Sequence, residues 1–168
     1  MSAIHEVSSA VRARRKDMGL TQTGLAKLSG LSRSTINQLE QGTIQDLSLK
    51  RATAVTNALG ITLGVVSISR RHLNSARSSA LAQAATSANV SYKGEIAPEE
   101  LRAIFLGGPV PRQFVAHVSK LLEEAPMSLL AALAAQLQEE NAAAPPATWQ
   151  RMRELAKTLD VYRAVWTV

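Results

Sequence analysis

The chain has 168 residues, enough for one ordinary domain or two small ones, and its 46% apolar content suffices for a core that must rely on Ala, Leu and Val because aromatics are only 4%. Its net charge of +6 is unevenly spread: residues 1–71 hold ten Lys or Arg against four Asp or Glu, whereas residues 72–168 hold nine of each. A basic first part beside a neutral remainder is the pattern expected if only the former meets a polyanion, because cationic side chains gain by displacing counterions. Without cysteine, neither disulfides nor thiolate metal sites can be built. His5, His72 and His117 show no paired ligand spacing, and no Ser-His-Asp set, phosphate loop or metal motif appears, so the sequence predicts no catalytic residues, no metal, no cofactor and no enzyme. Nor does any stretch approach the ~20 apolar residues that cross a bilayer, and the first residues lack a basic start followed by an apolar run. The expectation is a cytoplasmic protein.

The first predicted helix spans Ile4 to Met18 and turns Ile4, Val7, Ala10, Val11 and Met18 toward a core. Arg12, Arg14, Arg15 and Lys16 fall on its later turns, where cations suit both a solvated face and the negative end of the helix dipole. Gly19 stops it.

From Thr21 to Gly42 the chain reads T-Q-T-G-L-A-K-L-S-G-L-S-R-S-T-I-N-Q-L-E-Q-G. Thr21 can cap a short helix carrying Leu25, Ala26 and Leu28, Gly30 ends it, and Leu31 plugs the turn. Ser32 can cap a second helix with Ile36 and Leu39 inward and Gly42 at its end. The outward residues are Arg33, Ser34, Asn37 and Gln38, hydrogen-bonding heads of modest bulk, as an element entering a DNA major groove requires. Gln22 stands where the exposed N–H groups of a helix start face a phosphate well, or is plain helix-starting polarity.

After Gly42 comes a loop, T-I-Q-D-L, in which Thr43 and Gln45 can hydrogen-bond phosphates. Ser48 then caps a helix with Leu49, Ala52, Val55 and Leu59 inward and Gly60 at its end.

Residues Val11 to Ile61 resemble the helix-turn-helix domain of the phage Cro and repressor class, the XRE family: T-Q-x-x-L-A, then G-L-S-R-S-T-I-x-x-L-E-x-G, then a final helix closing on A-L-G-I. The resemblance implies a mainly all-α protein with a five-helix λ-repressor-like domain, acting on double-stranded operator DNA as a transcriptional repressor. It implies base reading by Arg33, Ser34 and Gln38, with Ser32, Thr35, Asn37 and Thr43 along the same surface and Gln22 contacting the backbone while bracing the recognition helix. It also implies a partly buried structural ion pair between Arg15 and Glu40.

Ile61 to Arg70, I-T-L-G-V-V-S-I-S-R, is rich in β-branched residues and roughly alternating, which predicts a strand. Its proposed mate is a second copy of itself, pairing through Ile61, Leu63, Val65, Val66 and Ile68 across a twofold axis; the alternative is the short V-S-Y segment after Asn89. A homodimer also suits palindromic half-sites one helical turn apart.

Residues 1–71 thus form one predicted domain with a trailing dimerisation strand. Residues 72–89, Ala- and Ser-rich, read as a linker or a weakly packed helix, and residues 90–168 as a helical, partner-binding domain. Its four predicted helices begin near Pro98, Pro111, Pro126 and Thr148, the last holding Trp149, Met152, Leu155, Leu159, Tyr162 and Trp166. Adjacent glutamates such as Glu99 and Glu100 point about 100° apart on a helix, which suits solvation better than acid–base work. The order S-A-N-V-S-Y-K-G-E-I-A-P-E-E-L, P-V-P-R-Q-F and L-L-E-E-A-P-M-S-L-L resembles the tails of XRE-type antitoxins encoded beside nucleotidyltransferase-like toxins of the abortive-infection class. That resemblance implies an autoregulating antitoxin with a cognate toxin as partner. The rival expectation is a ligand-responsive regulator without one.

Overall fold

The computed structural model describes residues 3–64, 79–90, 94–140 and 142–167, and among them every regular element is helical. Four helices build the amino-terminal head: α1 (Ala3–Asp17), α2 (Gln22–Ser29), α3 (Arg33–Gln41) and α4 (Leu49–Ala58). Val11, Met18, Leu20, Leu25, Ile36, Leu39, Val55 and Leu59 are all buried between them. Burying each side chain of this size contributes about 1.5–3 kcal/mol, so these few residues suffice to hold four short helices that would be marginal alone.

The head departs from expectation in three places. Four helices, not five, precede Gly64 among the described residues. Leu49 is 75% exposed instead of core-facing, because α4 starts at Leu49 and its first turn overhangs the core that Val55 and Leu59 fill. Ile61 to Gly64 form no strand. Ile61 N–H instead closes on Thr56 O at 2.8 Å, and its side chain packs against the core. An apolar residue that seals the end of a helix thus mimics the start of an alternating run. Val65, Val66 and Ile68 lie outside the described residues, as do residues 91–93 of the alternative mate.

The carboxy-terminal tail comprises α5 (Ala80–Asn89), α6 (Pro98–Phe105), a 3-10 turn (Arg112–Phe114), α7 (Val115–Glu124), α8 (Met127–Glu139), α9 (Pro145–Thr158) and α10 (Ala164–Thr167). Helix α5 packs on α6, α7 and α8 with Leu81, Ala84, Ala85 and Ala88 buried, so it sits inside the tail's core. Its small side chains, which suggest poor packing when read one by one, let neighbouring backbones close on it. The predicted last helix divides in two. It begins at Pro145, leaving Thr148 fully buried inside it instead of capping it, and ends at Thr158; the chain then turns at Asp160 (φ 51°), so Tyr162 lies outside the helix expected to hold it and is 82% exposed.

From α9 onward three arginines reach backbone carbonyls of other elements. Arg151 donates to Ile104 O and Gly108 O at the end of α6, Arg163 to Ala125 O and Leu122 O at the end of α7, and Arg153 to Met18 O (2.7 Å) just past α1. Desolvation lowers the pKa of Arg163. Cations suit these sites because the last carbonyls of a helix lack intrahelical donors and carry the negative end of its dipole.

Head and tail meet where α1 touches α9 and α4 touches α8. Gly60 (φ 67°) lies so close to the start of α8 that a Cβ there would stand 2.7 Å from the Met127 carbonyl carbon. Only glycine combines that left-handed backbone with that approach.

Candidate nucleic-acid interface

Helices α2 and α3 are set by their caps. Thr21 Oγ1 accepts from Gly24 N–H (2.9 Å) and Ser32 Oγ from Thr35 N–H (3.0 Å), each satisfying one orphan donor of a first turn. Between them Gly30 (φ 68°) reverses the chain, and its N–H closes on Ala26 O; Gly42 (φ 68°) ends α3 in the same way. Ile36 and Leu39 are fully buried, so the opposite face of α3 must point outward.

Under α3 lies a polar network that fixes its tilt. Arg15 from α1 grips Glu40 with two prongs, Nε to Oε1 and Nη2 to Oε2 (2.8 Å), while its Nη1 donates to Leu20 O (2.7 Å). Gln22 Nε2 joins them, donating to Glu40 Oε2 (3.1 Å) and to Asn37 Oδ1 (3.4 Å). Burial pushes the Glu40 carboxyl up, but the hydrogen bonds from Arg15 and Gln22, with the charges of Arg15 and Arg12, outweigh it and hold the group below the ordinary carboxylate range. The hydrogen bond to Glu40 raises the pKa of Arg15 in turn. The glutamate side chain is only 3% exposed and the arginine 12%. One element from each of the first three helices is thereby locked into a single geometry.

The residues singled out in the sequence therefore divide. Ser32 and Thr35 occupy one another through their hydroxyls (2.8 Å) in the cap of α3. Asn37 is half-buried and accepts from Gln22 and Gln41, and Thr43 Oγ1 donates back to Gln38 O (3.3 Å). Arg33, Ser34 and Gln38 are exposed, and their side chains have no hydrogen-bond or ion-pair partner among the described residues. Gln22 faces the recognition helix with its amide, half-buried at the start of α2. Of the residues named for pairing two copies, Ile61 is packed and Leu63 lines an open groove.

One residue that bonds to the turn between α1 and α2 gives no sequence signal. Arg153 lies 135 positions after Met18, yet it closes the turn that delivers Gln22, and its guanidinium stands 3.2 Å from where a Cβ on Gly19 would be.

A compact helical head with a capped, outward-facing second helix is the architecture of a helix-turn-helix reader. Residues 11–66 match the family model described as Helix-turn-helix, and this part of the chain is an XRE-family helix-turn-helix domain. The protein is accordingly a DNA-binding transcriptional regulator. No curated protein and no solved structure matches the chain. Among the described residues no helix is long and apolar enough to cross a membrane, and no group of His, Asp and Glu is placed to hold a metal ion.

Proposed function

We propose that the protein is a sequence-specific repressor that binds a palindromic operator as a homodimer, without catalytic activity or cofactor. Base edges are read by Arg33, Ser34 and Gln38, and the observation that carries this is their freedom: they are the exposed heads on α3 whose hydrogen-bonding capacity is not spent on any of the described residues. Ser32, Thr35, Asn37 and Thr43, already engaged, hold the helix in position and contribute to the backbone side of the surface, together with Gln22.

The pairing of two copies is supported by an apolar groove of about 490 Å³ between α1 and α4, lined by Ile4, Val7, Leu39, Leu47, Leu49 and Leu63, with Leu49 standing 75% exposed at its edge. An exposed leucine beside a contiguous apolar groove suits an interface. Two such subunits would place two recognition helices about 34 Å apart, one turn of duplex.

For the tail, the antitoxin-like order of its segments supports a second role: neutralising a toxin encoded beside it. The operator reading is tested by a gel shift at moderate salt, in which the protein's own promoter is retained ahead of random duplex; equal retention of both sinks it. Co-purification with the operon neighbour tests the tail, and a clean homodimer that leaves the neighbour's toxicity unchanged removes that role.

A further inference from the structure

The place where α9 gives way to α10 holds a cleft of about 280 Å³, lined by Arg153, Ala156, Lys157, Val161, Tyr162 and Trp166 among others. Its chemistry differs from the rest of the tail surface. Phe105, Phe114 and Trp149 are buried in the core, whereas Tyr162 stands out at the cleft with nothing packed over it. Among the described residues Asp160 is the single carboxylate lining it, against two cations. Arg153 and Lys157, one helical turn apart on the same face of α9, have no ion-pair partner among the described residues.

Arg153 is also incompletely used. Arg151 and Arg163 each give two hydrogen bonds to carbonyls, but Arg153 gives one, to Met18 O, and its Nε is buried without an acceptor. Its guanidinium is therefore less fully engaged by the chain than those of Arg151 and Arg163.

We propose that this cleft binds a small organic carboxylate with an aromatic or branched apolar body. Two cations offset by one aspartate leave room for a single negative charge, and hydrogen bonds between charged groups of opposite sign are the strong ones. Val161, Tyr162 and Trp166 offer the apolar walls that reward a body of about one ring; the volume is at the small end of ligand sites. The ligand would draw on the same guanidinium that ties the tail to the turn before α2, so the site bears on the ligand-responsive reading of the tail.

The test uses intrinsic fluorescence of the full-length protein. Its only two tryptophans are Trp149 and Trp166, whose rings lie 6.3 Å apart, so the tryptophan emission, excited where tyrosine does not absorb, comes from this pair. Benzoate and phenylacetate are titrated as probes, with benzamide as the neutral counterpart of the first. Expected are a saturable change with at least one acid and affinity weaker by roughly tenfold for the amide, the loss of about one ion-pair contact. Lys157→Gln, which removes no contact to the head, and Arg153→Gln both weaken acid binding several-fold. No saturable change with either acid, equal binding of benzamide, or wild-type affinity in Lys157→Gln overturns the proposal. Because no DNA enters the measurement, its failure leaves the operator reading standing, and a failed gel shift leaves this site standing.

Discussion

Head and tail are both small helical assemblies, yet different forces fix their geometry. In the head, hydroxyl caps three residues away from their donors start α2 and α3, and one charged network ties α1, α2 and α3 beneath the reading face. In the tail, arginines reach 38 to 135 residues along the chain to bond carbonyls, and small side chains on α5 let helices close. The head is thus organised by local chemistry around one buried charge pair, and the tail by distant contacts to the ends of helices.

The sharpest way to break that contrast is at Glu40. Removing one side of a buried pair leaves the other charge uncompensated, so Glu40→Ala and Arg15→Ala should each cost roughly 3–5 kcal/mol in urea unfolding. Replacing both with apolar residues of similar volume should cost less than either single change. The pair also has a pH signature. The Glu40 pKa is lowered in the folded state, so its contribution is fully present above the unfolded glutamate value of about 4.3 and is lost as pH falls through the folded value. Stability measured from pH 6 downward should therefore fall more steeply in the wild type than in Glu40→Gln. Parallel curves would remove the ion pair from the account.

Next in size is the junction. Gly60→Ala adds a methyl against the Met127 carbonyl in a left-handed backbone, and the strain alone is about 1–3 kcal/mol before any steric shift. Gly30→Ala has the same backbone sign but open space within 4 Å, so it should cost clearly less. Equal costs at the two positions would mean that head and tail are not held together at Gly60 in solution.

These contrasts explain what was legible in the sequence. Thr21, Ser32 and Ser48 announce their helices because a cap is a three-residue pattern, and Gly30 and Gly42 announce their ends. Proline and glycine likewise reveal most tail helices. The roles of Arg151, Arg153 and Arg163 were hidden because a carbonyl acceptor has no residue identity to search for. The packing of helix α5 is hidden for a related reason: alanine is informative only once its neighbours are known. Leu49 and Ile61 carry no such mark, because apolar character at a helix edge does not specify inside or outside, and nothing in the sequence shows that the last predicted helix is interrupted at Asp160, before Tyr162.

At the reading face the expected effects are smaller and concern selectivity. Arg33→Ala removes a guanidinium that has no partner among the described residues and can bond guanine at O6 and N7 together, so it should relax preference at one base position by ~1–3 kcal/mol and leave stability nearly unchanged. Gln22→Ala should weaken all sequences alike, because that side chain braces Glu40 and Asn37 instead of projecting freely. Competition gel shifts on a set of operator variants separate the two patterns, and a base-specific loss in Gln22→Ala would reverse their assigned roles.

The smallest effects test the contrast at its root. Thr21→Ala removes the side-chain acceptor that caps the first turn of α2 and should cost about 1 kcal/mol. Ser79 caps α5 in the same manner, with its Oγ accepting from Ala82 N–H at 3.4 Å, but there the tail's habit of distant contacts intervenes: Gln136 Oε1 on α8 accepts from Leu81 N–H at 3.0 Å and from the Ser79 hydroxyl. Losing the serine leaves the glutamine in place for Leu81, so Ser79→Ala should cost only a few tenths of a kcal/mol, whereas Gln136→Ala should cost more than Ser79→Ala. The reverse order in urea unfolding would show that α5 is started locally, as the head's helices are.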